Sequence, residues 1–266
     1  MVVTSPVHIE AELLARRRHA DHLFELEFRV NRAVAGARPG QFVMLGPIGE
    51  LALDPFLCRP FSIYRADGEK LSLLVAVVGR GTRLLLEIEP PARLGMLGPL
   101  GNGFRVPAAA REIVLVAGGL GVAPLAFLAE RLARQGRSVL LVVGVRSAAG
   151  LPPLRWLVER GVQVEVASED GSRGRRGTAI DVLGRLLAGR QLPADSTYLA
   201  GCGPRAMLQA LHRLTKQRGW QVEVSLENRM ACGTGACLGC TLQLAGGENA
   251  RVCREGPVFA AGEVFL

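Results

Sequence analysis

The sequence predicts a fold in three parts: an antiparallel β-barrel, a doubly wound parallel α/β sheet and a small C-terminal cysteine-rich domain. Residues 1–105 contain short strands separated by Gly and Pro turns, the pattern of a small barrel. In residues 106–222, buried apolar strands alternate with helices, which is typical of a parallel sheet covered on both faces. Residues 223–266 carry four of the six cysteines and form the third predicted domain.

The barrel strands are predicted from short runs that are apolar or alternate between apolar and polar residues. In Leu23–Val30, charged residues alternate with apolar ones, as in a half-buried strand. Gly81–Glu89 has helical periodicity, with Thr82 as a cap of its first turn. The predicted strands are His8–Leu14, Leu23–Val30, Gln41–Leu45, Phe61–Tyr64 and Lys70–Val78.

Two motifs in the barrel suit a phosphate-bearing cofactor. Arg59-Pro60-Phe61-Ser62 places a guanidinium and a hydroxyl on one strand. An arginine fork can bind a pyrophosphate, and a serine hydroxyl can approach a flavin ring nitrogen. Gly79-Arg80-Gly81-Thr82 offers a glycine turn at a helix N-terminus, where phosphates bind readily. Each motif alone is commonly structural, and only their joint presence favours a cofactor.

The middle domain is predicted from a regular alternation of strand and helix. Its elements are the strands Ile113–Ala117, Ser138–Val145, Val162–Ala167, Ser196–Ala200 and Gln221–Ser225 and the helices Pro124–Arg134, Leu154–Arg160, Thr178–Leu187 and Ala206–Arg218. The apolar stretch Ile113–Ala129 is short for a membrane span and has glycines and a proline at its centre. A strand, a glycine turn and a helix therefore explain it better, and no membrane partner is predicted.

Two turns of this domain are candidate nucleotide sites. Gly119 and Gly121 lie between the first strand and its helix, where a pyrophosphate can approach the backbone. Cys202-Gly203-Pro204 lies at another strand-to-helix turn, although Cys202 could equally be a small buried residue. After the second strand, Arg146-Ser147 replaces the carboxylate expected for a ribose 2′-hydroxyl, so the choice between NAD and NADP stays open.

The C-terminal cysteines Cys232, Cys237, Cys240 and Cys253 have the spacing Cys-x4-Cys-x2-Cys-x12-Cys. The first three match the plant-type pattern of a [2Fe–2S] cluster, and interleaved glycines allow the loop to curl around it. A zinc site usually shows two separated cysteine pairs, and disulfides need an oxidising compartment. The pattern therefore predicts an iron–sulfur redox protein.

Composition excludes several other classes. The net charge of +8 comes from 32 basic residues scattered among 24 acidic ones, and only 5% of residues are aromatic. Because no basic run is interleaved with aromatic residues, no nucleic-acid partner is predicted. The chain begins without a basic region followed by an apolar core, so a cytoplasmic location is expected. No catalytic acid, base or nucleophile stands out in any of the three domains.

The motifs of the first two domains resemble the ferredoxin–NADP reductase superfamily. The resemblance implies that residues 1–105 bind FAD, with Arg59 and Gly81 on the pyrophosphate and Ser62 beside the flavin. It implies that residues 106–222 bind NAD, with Cys202 facing the nicotinamide. Members of the family often carry a Tyr or Arg in the strand where this chain has Leu74-Val75-Ala76. The cofactor-binding residues so implied are Arg59, Pro60, Phe61, Ser62, Leu74, Val75, Ala76, Gly81, Thr82, Gly119, Gly121, Cys202, Gly203 and Pro204.

A closer resemblance, over nearly the full length, is to the electron-transfer subunits of dihydroorotate dehydrogenase B. It rests most specifically on the blocks Met230–Cys240 and Arg251–Phe259. The resemblance implies an oxidoreductase subunit of pyrimidine biosynthesis that passes electrons from an FMN-containing catalytic subunit through [2Fe–2S] and FAD to NAD+. It also implies a heterotetramer of two catalytic and two electron-transfer subunits.

Two alternatives remain at this point. The first is a similar FAD and [2Fe–2S] subunit of a sulfhydrogenase or of a bifurcating NADH–ferredoxin oxidoreductase, which shares the same motifs. The second is a non-catalytic scaffold in which the four cysteines bind zinc. The identity of the partner protein distinguishes the first alternative from a dihydroorotate dehydrogenase subunit. The metal content distinguishes the second alternative from an iron–sulfur protein.

Overall fold

The computed structural model describes residues 5–46 and 56–266, so residues 1–4 and 47–55 of the predicted barrel domain lie outside the described residues. Within the described part of the chain, six antiparallel strands close a barrel in the order β1-β2-β5-β4-β3-β6. These strands are β1 (Val7–Ala20), β2 (Leu23–Arg29), β3 (Phe42–Leu45), β4 (Arg59–Asp67), β5 (Lys70–Ala76) and β6 (Ala92–Leu100). Helices α1 (Arg32–Ala35) and α2 (Arg80–Glu87) accompany them. The predicted antiparallel barrel is confirmed.

Strand β6 is a barrel strand that the sequence did not predict, because Gly95, Gly98 and Pro99 make its segment resemble a loop. It pairs with both β1 and β3 and so closes the barrel. A Cβ atom on Gly98 would lie 2.7 Å from the Val43 Cγ1 atom. The glycine therefore leaves room for the Val43 side chain of the neighbouring strand, a tertiary requirement that local periodicity cannot reveal.

The middle of the chain forms a sheet whose strand order is β10-β9-β8-β7-β11-β12-β15. Its strands are β7 (Glu112–Gly118), β8 (Leu140–Val145), β9 (Gln163–Ser168), β10 (Arg175–Arg176), β11 (Thr197–Cys202), β12 (Gln221–Ser225) and β15 (Val258–Ala260). The intervening helices are α3 (Val122–Arg134), α4 (Arg155–Val158), α5 (Ala179–Leu187) and α6 (Arg205–Thr215). All neighbouring strands are parallel except β15, which pairs antiparallel with β12.

The strand order reverses direction between β7 and β11. From β7 the chain proceeds outward through β8 to β9, then returns to the other side of β7 as β11 and β12. In open α/β sheets, ligands bind outside the carboxyl ends of the strands at such a point. The two glycine-containing turns predicted from the sequence follow these two strands. The apolar stretch Ile113–Ala129 forms β7, a turn and part of α3, and no helix of the described residues is long and apolar enough to cross a membrane.

A buried carboxylate joins the barrel to the sheet. Glu130 of α3 is only 2% exposed, and its Oε1 atom lies 3.0 Å from Arg134 Nη2, 3.3 Å from Arg160 Nε and 3.6 Å from Arg65 Nη2. Arg65 belongs to β4 of the barrel, and its guanidinium also lies over the Trp156 ring. Removing the partners of a buried carboxylate is costly, so this cluster helps to hold the barrel against the sheet.

The C-terminal segment packs against both other parts. It contains the hairpin β13 (Thr241–Gln243) and β14 (Asn249–Arg251), the edge strand β15 and helix α7 (Ala261–Val264). One apolar core contains Phe42, Met44 and Leu100 of the barrel together with Cys240, Val252 and Cys253. The predicted boundary at residues 222 and 223 falls inside β12, and the three-domain division stays a prediction.

Candidate functional site

Arg59 and Gly81, predicted separately, lie against each other in the structure. Arg59 begins β4, and Gly81 lies in the first turn of α2. A Cβ atom on Gly81 would lie 2.5 Å from Arg59 Nε and 2.7 Å from its Cζ atom. The Arg59 Nη1 group donates a hydrogen bond to the Leu57 carbonyl oxygen. A guanidinium at a helix N-terminus gathers positive charge at one point, as a pyrophosphate requires.

The hydroxyl of Thr82 is already committed to the start of the same helix. It accepts hydrogen bonds from the backbone N–H groups of Val78 at 3.0 Å and Gly79 at 3.2 Å, and it donates to the Gly79 carbonyl at 3.0 Å. Thr82 therefore shapes the turn through its side chain. Gly79, at the N-cap, provides no side-chain cap, so a phosphate can reach the first-turn N–H groups.

The strand residues predicted to contact a flavin divide between two faces of the barrel. Val75 is fully buried in the barrel interior and can offer only backbone to a ligand, whereas Phe61 is partly buried against the same core. Ser62 follows Phe61 in β4 and therefore lies on the opposite, outer face of the barrel. Tyr64 lies on that same outer face and packs in the core shared with the sheet. Leu74 belongs to that same shared core. Pro60, Ser62 and Ala76 are half-buried, as residues lining a crevice would be.

The two glycine turns at the carboxyl ends of β7 and β11 touch each other. A Cβ atom on Gly121 would overlap the Cys202 carbonyl group and lie 2.7 Å from Gly203 N. A Cβ atom on Gly118 would lie 2.7 Å from Pro204 Cδ. The turn Gly119–Gly121 also contacts β5 of the barrel. The predicted nucleotide residues therefore converge on one crevice, beside the barrel strand that holds Leu74 and Ala76.

Cys202 ends β11 inside this crevice and is 1% exposed. Burial raises the pKa of its thiol, and the negative charge of Glu227 raises the pKa further. The thiol is therefore neutral at physiological pH. A neutral, buried thiol is a poor nucleophile, which favours a contact role over covalent chemistry.

The four C-terminal cysteines come together as two pairs. Cys232 and Cys237 lie within hydrogen-bonding reach of each other, and so do Cys240 and Cys253. The charges of Cys232 and Cys240 both act on Cys253. All four are free thiols, so no disulfide competes for them. A [2Fe–2S] cluster needs two thiolates for each iron, and this arrangement fits that requirement.

Backbone N–H groups point at the sulfur atoms. Thr234 N lies 3.4 Å and Cys237 N 3.5 Å from Cys232 Sγ, and Cys253 N lies 3.4 Å from Cys240 Sγ. Burial raises the pKa of Cys232, but these N–H groups outweigh it and lower the pKa to about 6. Gly233 and Gly235 have φ of +71° and +87°, which glycine adopts without strain. Such a loop stabilises thiolate ligands.

The cysteine loop rests directly on the barrel. A Cβ atom on Gly233 would lie 2.6 Å from Met44 Cγ and 3.1 Å from Leu100 Cδ1. Met44 of β3 pairs with Pro60 of β4. Because neighbouring strands are about 4.8 Å apart, only one strand separates the cysteine loop from the strand that carries Arg59 and Ser62.

Sequence reasoning missed the residues that connect these parts. Met44 resembles any core methionine, and Asn102, which bonds to the segment after Cys253, resembles a turn residue. Arg251 donates to the Gly235 carbonyl and pairs with Glu255, bracing the cysteine loop. Arg251 and Glu255 could have been predicted from the sequence, because they lie on either side of Cys253. Their spacing of four residues permits a local ion pair.

Comparison with protein families and curated proteins gives one consistent result. Residues 227–265 match the family described as the iron–sulfur cluster binding domain of dihydroorotate dehydrogenase B. A protein of Desulforamulus reducens, named dihydroorotate dehydrogenase B (NAD(+)), electron transfer subunit, is 36% identical over 96% of this chain and 97% of its own length. A protein of the same name from Geobacillus thermodenitrificans is 38% identical over the same shares.

Solved structures agree on the fold. An NADH-dependent reduced ferredoxin–NADP oxidoreductase, described in connection with flavin-based electron bifurcation, has a TM-score of 0.82 and 25% identity. The match covers 96% of this chain and 90% of that one. The ferredoxin reductase of a carbazole 1,9a-dioxygenase has a TM-score of 0.69 at 22% identity, covering 82% of this chain and 69% of its own.

Proposed function

This chain belongs to the family of dihydroorotate dehydrogenase B electron-transfer subunits, and from that premise we propose that it serves an FMN-containing catalytic subunit that oxidises dihydroorotate. It is an oxidoreductase subunit that uses FAD, a [2Fe–2S] cluster and NAD. The proposed assembly holds two chains of each kind and works in the cytoplasm. Its place is in pyrimidine biosynthesis, where dihydroorotate becomes orotate.

One observation carries the proposal: the cysteine loop lies on the barrel, one strand away from the strand that bears Arg59 and Ser62. Gly233 contacts Met44, and Met44 pairs with Pro60. A flavin exchanges one or two electrons, whereas a cluster exchanges one and a pyridine nucleotide two. A chain that joins a dehydrogenase to NAD needs these sites close together, and the contact of the cysteine loop with the barrel supports such an arrangement.

For FAD, we assign the pyrophosphate to Arg59, Gly81 and the first-turn N–H groups of α2. The guanidinium provides charge, and Gly81 leaves room for the Arg59 side chain to lie against the helix N-terminus. Ser62, Leu74 and Ala76 line the outer face of the barrel where the flavin ring is expected. Pro60, Phe61, Val75 and Thr82 contribute backbone or hold the turn in shape.

For NAD, we assign the pyrophosphate to the turn that contains Gly119 and Gly121. Cys202, Gly203 and Pro204 adjoin it at the point where the strand order reverses. The neutral Cys202 thiol provides a small, uncharged surface for a nicotinamide. Arg146 follows β8 and is exposed, so a comparison of NADH with NADPH tests whether it admits a 2′-phosphate.

For the cluster, we assign the ligands to Cys232, Cys237, Cys240 and Cys253. The N–H groups of Thr234, Cys237 and Cys253 orient and stabilise the thiolates. Metal analysis separates this assignment from a zinc site: two irons with sulfide per chain are expected, and one zinc without visible absorbance would contradict the assignment.

The test of the proposed function is co-expression with the neighbouring gene, followed by an assay for NAD+ reduction by dihydroorotate. We expect a complex with two copies of each chain that contains FMN, FAD and iron. Purification with a hydrogenase or with a second flavoprotein, and no dihydroorotate activity, would instead place the chain in a sister complex.

A further inference from the structure

The barrel contacts the cysteine-rich domain both beside the first proposed cluster ligand and beside the last. The first contact is at Gly233, which follows Cys232 and rests on Met44 and Leu100. The second lies beyond Cys253, a ligand that is only 3% exposed. There, residues 254–257 run along the end of β6.

Asn102, just after β6, provides the hydrogen bonds of the second contact. Its Nδ2 group donates to the Glu255 carbonyl at 2.8 Å and to the Arg254 carbonyl at 3.1 Å. Its backbone N–H donates to the Gly256 carbonyl at 2.6 Å, and the residue forms a parallel bridge with Pro257. Both side-chain hydrogens and the backbone hydrogen of one residue are thus directed to consecutive carbonyls of another domain.

The neighbouring Gly101 permits this close approach. Its φ is +72°, and a Cβ atom on it would lie 2.5 Å from Pro257 Cδ and 2.9 Å from the Gly256 oxygen. The backbones of the two domains therefore meet without an intervening side chain. A cluster ligand held through such a contact cannot move far relative to the barrel.

We propose that Asn102 is a positioning residue that sets the separation between the cluster and the flavin by holding residues 254–257 against the end of β6. The proposal rests on the function proposed above, because it assumes that both groups occupy the assigned sites. Electron transfer through protein weakens steeply with distance, so a ligand segment that drifts slows the transfer. Asn102 acts through Arg254, Glu255 and Gly256 and touches neither group itself.

The experiment uses the complete chain with both groups bound. Asn102→Asp keeps the shape of the side chain but turns an oxygen toward two carbonyl oxygens in place of the donating nitrogen. Asn102→Ser removes the long-range donor without adding charge. Asn249→Asp is the matched control, since Asn249 is an exposed asparagine of β14 in the same domain.

Two measurements separate positioning from simple structural support. After mixing with NADH, stopped-flow absorbance follows flavin reduction and then cluster reduction as separate phases. Limited trypsin digestion measures cleavage after Arg254, inside the segment that Asn102 holds. Iron content and the electron paramagnetic resonance spectrum of the reduced cluster show whether the cluster itself is intact.

We expect Asn102→Asp to slow the cluster phase about tenfold while flavin reduction stays within about twofold of the wild-type rate. Cleavage after Arg254 should accelerate about tenfold, because local opening becomes easier. Asn102→Ser should show the same effects to a smaller extent, and Asn249→Asp should behave as the wild type.

A cluster phase in Asn102→Asp and Asn102→Ser as fast as in the wild type would overturn the proposal. Loss of iron from both variants would also overturn it, because Asn102 would then retain the cluster rather than set its separation. Failure of the proposed function is visible separately: the wild-type chain itself would then contain no flavin or cluster, or would show no cluster phase.

Discussion

The two glycines assigned to the phosphate sites are crowded by different kinds of protein atoms. At Gly81 in the barrel domain, the nearest atoms belong to the guanidinium at the far end of the Arg59 side chain. At Gly121 in the sheet domain, they are the backbone atoms of Cys202 and Gly203. Neither glycine has a positive φ, so the backbone conformation would accept alanine at both positions. Only the lack of space for a methyl group requires glycine there.

This difference shows how each site is built. The barrel site is closed by a side chain that can move, so its geometry depends on the charge that Arg59 carries. The sheet site is closed by two backbones at adjacent strand ends, so its geometry is part of the fold. A substitution at Gly81 should therefore affect binding, and one at Gly121 should affect folding.

The largest effect is expected for Gly121→Ala. The added methyl group overlaps the Cys202 carbonyl, and because backbone in a packed sheet yields little, the free energy of unfolding should fall by about 3 kcal/mol or more. Urea denaturation followed by tryptophan fluorescence measures this change. Gly184→Ala is the matched control: this glycine of α5 has no atom within 4 Å of a Cβ position, so alanine should stabilise the protein by up to about 1 kcal/mol.

Equal stability of Gly121→Ala and the wild type would contradict the proposed difference between the barrel site and the sheet site. It would mean that the two turns can separate, and the convergence of Gly121 with Cys202 would then not be part of the fold.

A smaller effect is expected for Gly81→Ala. The Arg59 guanidinium can swing away from the methyl group, so the free energy of unfolding should stay within about 1 kcal/mol of the wild-type value. FAD affinity should fall about tenfold to a hundredfold, since a charge-assisted contact contributes roughly 1.5–3 kcal/mol. Equilibrium dialysis of flavin measures the affinity.

A double-mutant cycle sharpens this prediction. Arg59→Ala should weaken FAD binding by a similar factor, and adding Gly81→Ala to it should have little further effect, because the methyl group acts by displacing Arg59. Fully additive losses would show that Gly81 and Arg59 contribute independently.

Local patterns in the sequence predicted most elements but not how they meet. The strands Gln221–Ser225 and Leu23–Arg29 follow periodicity closely, and the binding of a cluster by the four cysteines stays a prediction from their spacing. Strand β6 was missed because Gly98 is required by a neighbouring strand rather than by its own segment. The contacts of Gly121 with Cys202 and of Gly233 with Met44 join residues far apart in sequence, and no local signal specifies such packing.

The same reasoning explains why Arg59 was predicted and Asn102 was not. Arg59 belongs to a motif whose chemistry can be read from the sequence alone, because a charged residue lies close to a hydroxyl-bearing one. The role of Asn102 depends on three carbonyls about 150 residues later in the chain, an order of separation that only the closed fold brings together.

The smallest effect concerns the thiol of Cys202, the residue whose backbone carbonyl lies against Gly121. Burial raises the pKa of Cys202 in the folded state, so above the ordinary thiol pKa the unfolded chain loses a proton that the folded chain keeps. The unfolded state is then favoured, and stability falls as pH rises. Between pH 7.5 and 9.5 this should cost about 1 kcal/mol, and Cys202→Ala should lack that part of the pH dependence.

Urea denaturation of both proteins at the two pH values isolates this contribution, because every other titrating group is shared. Between the two pH values, the free energy of unfolding of Cys202→Ala should fall by about 1 kcal/mol less than that of the wild type. An identical pH dependence would show that the thiol is accessible to water in the folded chain. The crevice at the ends of β7 and β11 would then be more open than the contact between Gly121 and Cys202 implies, and the contrast with the side-chain-closed site at Gly81 would weaken.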